Sequence, residues 1–136
     1  MSHILRRLKY LVTKGVPKEP CKMVLVVRSD IVMGRGKTAS QCAHAAVECV
    51  NRCSGGVNKE ILDAWMVLGQ PKIVLKVSGE KNLKELAKDA KNRGLIAVVI
   101  RDAGKTQLEP GTASVLGIGP GPNSVVDSVT SHLKLL

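Results

Sequence analysis

The 136-residue chain has no phenylalanine, one tryptophan and one tyrosine. With so few aromatics the core has to be built mainly from Val, Leu, Ile, Ala and Met. The shortage also narrows what the chain can bind. Single-stranded bases are usually read on stacked Phe, Tyr or Trp side chains, and this chain has almost none. No C-x-x-C pair occurs among the four cysteines Cys21, Cys42, Cys49 and Cys53. His44 lies two residues from Cys42, on another helix face, so a zinc site has no support. Three of the cysteines fall in or at the very end of one predicted helix and no secretory hydrophobic stretch is present, which argues against a disulfide framework. Small thiols of this kind are helix-packing residues. No run approaches the ~20 apolar residues of a membrane span.

Acid is scarce as well. Asp and Glu number 11 against 21 Lys and Arg, a formal net charge of +10. That excess favours nucleic acid or an anionic surface as partner and says nothing about fold. With few aromatics, contact through phosphates and duplex shape is the expected mode. Before Glu19 there is no acidic residue at all. There Ile4, Leu5, Leu8, Leu11 and Val12 fall at helical spacing among Arg6, Arg7, Lys9 and Lys14. The pattern suits an amphipathic targeting or membrane-surface segment, and equally a helix or arm that only frays from the domain. Residues 1–21 are set apart on this basis as a basic segment and linker preceding a domain over residues 22–136. The expected location is cytoplasmic, or mitochondrial if the segment is a targeting one.

What is present is an orderly α/β pattern. The β-branched runs "KMVLVV", "KIVLKV" and "LIAVVI" read as strands covered on both faces. They place strands over residues 22–28, 72–77 and 96–101, with a fourth over residues 113–118 followed by a "GPGPN" turn. Helices are expected over residues 37–52, 58–68, 80–93 and 124–131. The third of these carries Leu83, Leu86, Ala87 and Ala90 on its buried face and ends at Gly94. Strands separated by helices argue for right-handed parallel crossovers. The last two strands share a loop without a helix, so the fourth should be antiparallel. The expectation is one three-layer α/β domain, a four-stranded mixed, mostly parallel sheet with helices on both faces.

The stretch "MGRGKTASQCAHAA" mimics a nucleotide-binding loop. A phosphate-cradling loop requires G-x-x-x-x-G-K-[ST]. Gly36, Lys37 and Thr38 supply its end, but Ile31 stands where the first glycine belongs, and the wrapping N–H groups are lost with it. The helix that follows is more informative. Ala39, Cys42, Ala43, Ala46, Val47 and Val50 follow the i, i+3, i+4, i+7 pattern and are expected to face the sheet. Lys37, Gln41, His44 and Glu48 form a second, polar stripe, which is either a solvated face or a site beginning at a helix terminus that favours anions. "RDAGKTQLEPGT" is the other candidate. Asp102 follows an apolar strand directly, at the sheet edge where α/β proteins place functional groups. Gly104 permits a tight turn, and Thr106, Gln107 and Thr112 add hydroxyl and amide groups. An Asp that merely caps its own turn would look the same. If the strands are parallel, Lys37 and Asp102 converge.

These segments, with "GQPKIVLKV" and "TASVLGIGPGPNSVVDSVTSHLKL", resemble the archaeal and eukaryotic family of peptidyl-tRNA hydrolases from about Lys22 to Leu136. The marks are "VVR-D", "MG-GK-A-QC-HA", "DAGKTQ-EPGT" and "VLGIGPGP", several spaced motifs in order. The resemblance implies a hydrolase of carboxylic esters that cleaves the bond between a peptide and the 3′-terminal ribose of tRNA, freeing tRNA from aborted translation. Its functional positions fall on Lys37, Gln41, His44, Asp102, Thr106 and Thr112. Ester hydrolysis needs an aligned nucleophile and stabilisation of charge on the carbonyl oxygen. No serine or cysteine has a recognisable base beside it, so attack by water is the simpler scheme. Asp102 would orient or deprotonate that water, or else pair with Lys37 and position it. Lys37 would stabilise the oxyanion or bind a terminal phosphate, the threonines would hydrogen-bond substrate or water, and His44 would position. The scheme needs no metal or cofactor. Lys81, Lys84, Lys88 and Lys91, at spacings of three, four and three, form a basic stripe that with Arg93, Lys105 and Arg35 would lie against tRNA phosphates; a solvated lysine face is the plainer alternative. The chain would act as a monomer or homodimer. A non-catalytic RNA-binding adaptor is the competing function.

Overall fold

In the computed structural model, which describes residues 2–14, 19–54, 58–104 and 108–136, the apolar runs form a four-stranded sheet between two helical layers. The elements, in chain order, are α1 (His3–Lys14), β1 (Cys21–Arg28), α2 (Arg35–Cys53), α3 (Lys59–Val67), β2 (Lys72–Val77), α4 (Glu80–Asn92), β3 (Ala97–Arg101), β4 (Ala113–Pro122) and α5 (Asn123–Thr130). The sheet order is β2-β1-β4-β3.

Strand β1 shows why its run of apolar residues is nearly continuous. Met23, Leu25 and Val27 point into a cluster with Ala45, Cys49, Cys53 and Trp65 of α2 and α3. Val24 and Val26 point the other way, into a cluster with Leu83, Leu86, Ala87, Ala90, Val126 and Val129 of α4 and α5. Alternate residues of one strand thus enter two cores, and each fully buried Val or Leu contributes roughly 1.5–3 kcal/mol. The four apolar positions expected on α4 are the four it buries.

The expected mostly parallel pairing is corrected. β1 and β2 pair parallel, whereas β1 with β4 and β3 with β4 pair antiparallel. Three strands do run the same way, and β4 alone runs against them. Because β4 inserts between β1 and β3, it converts two of the three ladders to antiparallel. β2 is also less covered than its sequence suggested: Lys72 and Lys76 are exposed, as befits an edge strand. The chain's last residues cover that edge, with the Lys76 N–H donating to Lys134 O at 3.0 Å and the Leu136 N–H to Val74 O at 3.2 Å.

The turn expected over residues 119–123 is, as far as Pro122, a continuation of β4, in which Lys22 pairs with Gly121 and Cys21 with Pro122. Proline donates no ladder hydrogen bond, and the pairing is accommodated by a register shift between Lys22 and Val24. Gly119 sits at φ +99°, where an added Cβ would lie 2.9 Å from Lys22 O.

Candidate functional site

Helix α2 follows β1 after six intervening residues and lies across β4 and β3. Small residues make that approach possible. A Cβ on Gly117 of β4 would sit 2.6 Å from Cys49 Sγ and 3.3 Å from Ala45 Cβ, so glycine opposite alanine and cysteine brings helix and sheet together. The same close seating carries the first turn of α2 over the end of β3, where Asp102 follows Arg101.

There the Lys37 ammonium donates to Asp102 Oδ1 in an ion pair. The Asp102 side chain is completely buried and that of Lys37 is 16% exposed. The second carboxylate oxygen accepts the Gly104 N–H at 2.7 Å, the Asx turn that the glycine was expected to permit. Gly104 is at φ +83°, and a Cβ on it would fall 2.6 Å from Pro110 Cγ. The Asp102 backbone closes the neck of the loop, its N–H donating to Thr112 O at 2.9 Å and its carbonyl accepting from Gly111 N at 2.8 Å. Arg101 Nη1 donates to Gly111 O at 2.9 Å. Asp102 is therefore fixed by backbone and side chain together. The Thr112 hydroxyl, half-buried beside this neck, donates to Glu109 O at 2.8 Å. Thr106, Gln107 and Lys105 lie outside the described residues.

One turn deeper, Gln41 Nε2 donates to Ser114 Oγ at 2.8 Å, and Ser114 Oγ donates to Ile100 O at 3.2 Å. Both side chains are buried. The expected assignment of faces on α2 is corrected here. The line toward the sheet is Gln41, Ala45, Cys49 and Cys53, which continues Lys37 at steps of four. Cys42, Ala46 and Val50 flank it half-buried, and Ala39, Ala43 and Val47 are exposed. Lys37 and Gln41 are thus the polar head of the buried face and not part of a separate polar stripe. His44 is exposed and leaves that line, while Glu48 is half-buried. Sequence reasoning missed Ser114, whose signal was a lone hydroxyl inside the apolar run of β4. It also missed Arg28, whose Nη1 donates to Ala113 O at 3.1 Å and ties β1 to β4 at this edge.

The basic side chains expected to meet phosphate lie on the surface of two helices. Arg35 is exposed in the first turn of α2, and Lys81, Lys84, Lys88 and Lys91 are all exposed along α4. The start of α4 stands close to the site, because Glu80 meets Arg101 at 3.4 Å and Lys84 at 3.7 Å. Arg93 is drawn into a pair with Asp89 at 3.0 Å. All four cysteines are free thiols, and burial raises each of them, pushing Cys49 to about 12. At that value a thiolate nucleophile is not available near neutral pH. Among the described residues no three His, Cys, Asp or Glu side chains gather as metal ligands.

The family model described as "Peptidyl-tRNA hydrolase PTH2" matches residues 21–136. A protein of Bos taurus named "Peptidyl-tRNA hydrolase 2, mitochondrial" is 52% identical over 114 residues, which cover 84% of this chain and 63% of the bovine one. Proteins named "Peptidyl-tRNA hydrolase" are similar at the same level. That of Metallosphaera sedula is 50% identical over 116 residues, 85% of this chain and 99% of its own. That of Saccharolobus solfataricus is 53% identical over 118 residues, 85% of this chain and 98% of its own. The matched region spans less than two thirds of the mammalian relatives, 62% to 63% of their length.

Proposed function

The chain belongs to the PTH2 family of peptidyl-tRNA hydrolases, and from that premise we propose that it hydrolyses the ester joining a peptide to the 3′-terminal ribose of tRNA. Water adds to the ester carbonyl carbon, the bond to the ribose oxygen breaks, and that oxygen takes up a proton. The products are a free peptide acid and a reusable tRNA.

The observation that carries the reading is the buried pair of Lys37 and Asp102 at the open edge of the sheet. Asp102 has one oxygen on the lysine and the other on the Gly104 N–H. Orienting the ammonium is the role this engagement favours over taking a proton from water. Lys37, with two further N–H groups, then faces the oxygen on which charge develops. Gln41 and Ser114 hold the first turn of α2 in register behind it. Thr112 at the loop neck and Thr106 contact substrate or water, and the exposed His44 acts at the margin as a positioning group. Arg35, Lys81, Lys84, Lys88, Lys91 and Lys105 supply phosphate contacts that do not read sequence, which suits an enzyme accepting many tRNAs. The printed names of the mammalian relatives and the acid-free basic helix α1 support a mitochondrial over a cytoplasmic location.

The test is to incubate the protein, with a chelator present, with N-acetyl-aminoacyl-tRNA and with free aminoacyl-tRNA, and to follow release of the acyl group. Selective release from the blocked substrate is expected. Binding of tRNA without release would replace the hydrolase by an RNA-binding adaptor.

A further inference from the structure

Helix α1 is docked on the domain with its apolar face turned away from it. At 100° per residue, Ile4, Leu5, Leu8, Leu11 and Val12 cover an arc of about 120°. All five are exposed, between 40% and 85%. The half-buried residue is Tyr10, on the opposite side of the helix, which packs against the cluster containing Leu62 and Trp65. Its hydroxyl is pushed up by burial and by the carboxylates of Asp63 and Glu60, so Tyr10 looks toward α3. An amphipathic helix that only reinforced the fold would bury its leucines, and this one presents them.

The charges around the arc identify what it meets. Arg7 borders the apolar arc on one side and Lys9 on the other, with Arg6 behind them, and no acidic residue lies in the helix. Long basic side chains flanking a leucine face suit a helix lying in the plane of an anionic lipid surface, its apolar side in the acyl boundary and its cations among the headgroups. A second copy of this strongly basic chain would meet those cations with like charge. No helix among the described residues is long and apolar enough to cross a membrane. From exposure, arc and flanking charge we infer that α1 docks the protein on anionic membrane surfaces. The contact with α3 also orients what is docked. The chain leaves α3 to enter β2 at Lys72, with the Met23 N–H bonded to Pro71 O, at the amino ends of β1 and β2. Lys37 and Asp102 lie at the opposite, carboxyl edge, which stays open to the aqueous side.

The experiment is co-sedimentation of the full chain with vesicles of phosphatidylcholine alone and of phosphatidylcholine mixed with phosphatidylserine. Binding is expected to the mixed vesicles only, and to weaken with added salt. Leu8→Glu is expected to lower it about tenfold or more, and Arg7→Gln with Lys9→Gln by a similar factor. Thermal unfolding of the domain should not change in either variant, since these side chains are exposed. Absence of binding to the anionic vesicles overturns the inference. So does binding that Leu8→Glu leaves intact, or a dimer in solution that Leu8→Glu dissociates without any vesicle binding.

Discussion

Lys37 and Asp102 stand 65 residues apart in the chain and meet as an ion pair whose carboxylate has no exposed surface. Removing one partner of such a pair strands the other's charge. Lys37→Ala is expected to cost about 3–5 kcal/mol of stability, and Lys37→Ala with Asp102→Asn less than Lys37→Ala alone. Urea unfolding of the three variants measures this. In hydrolysis of N-acetyl-aminoacyl-tRNA each single variant should lose roughly 10²–10³ in kcat, and the double variant little more, because the two groups act as one unit. Independent, additive losses in both assays would mean that Asp102 does not work through Lys37.

Gly117 and Cys49 set the distance between α2 and the sheet. With Cys49 Sγ 2.6 Å from where a Cβ would stand, Gly117→Ala is expected to destabilise by about 1–3 kcal/mol. Cys49→Ala in that background removes the clashing sulfur and should recover much of the loss. A double-mutant cycle by denaturant unfolding reads the coupling. The same shift moves the first turn of α2, so Gly117→Ala should also lower kcat without touching the site.

Much of this was legible in the sequence. Element positions followed from β-branched runs and helical periodicity, because strand and helix periods are local properties. The convergence of Lys37 and Asp102 followed from strand direction alone. The pairing pattern did not, since local sequence carries no record that β4 inserts between β1 and β3. The faces of α2 were misassigned because alanine and cysteine are as small on the buried side as on the exposed one. Ala43 and Val47 fitted the apolar pattern as well as Ala45 and Cys49 did. The fact that decided the face was Gly117, 68 to 72 residues away on another strand. Ser114 escaped for a related reason, since its value depends on Gln41 being buried opposite it.

Asp30 links the end of β1 to the start of α4, accepting from Arg28 Nη2 at 2.7 Å and from the Gly79 N–H at 2.8 Å. Its carboxyl is held at about 2, chiefly by the Arg28 hydrogen bond. A depressed carboxylate stabilises the fold above its unfolded value near 4 and loses that contribution as pH falls through its folded value. Asp30→Asn is therefore expected to cost about 1 kcal/mol at pH 7, after allowance for solvent screening. The gap from the parent protein should close between about pH 4 and 2. Unfolding midpoints of the two proteins across that range decide it, and a gap independent of pH would assign the cost to lost packing.

Glu80 occupies two cations at once, Lys84 at 3.7 Å and Arg101 at 3.4 Å, beside the open edge of the site. If the basic stripe on α4 meets tRNA phosphates, Glu80 holds part of that charge in reserve. Glu80→Gln is expected to tighten tRNA binding and to steepen the dependence of log affinity on log salt. Lys81→Ala, Lys84→Ala, Lys88→Ala and Lys91→Ala should each flatten that slope by about 0.7–0.9 for every phosphate the lysine had neutralised. Turnover of saturating substrate should be unaffected in the lysine variants, since none of these side chains touches the Lys37 and Asp102 pair. Filter-binding titrations over a range of salt concentrations give the slopes directly. A slope that the quadruple lysine variant leaves unchanged would move the RNA off α4 and toward Arg35 and the first turn of α2.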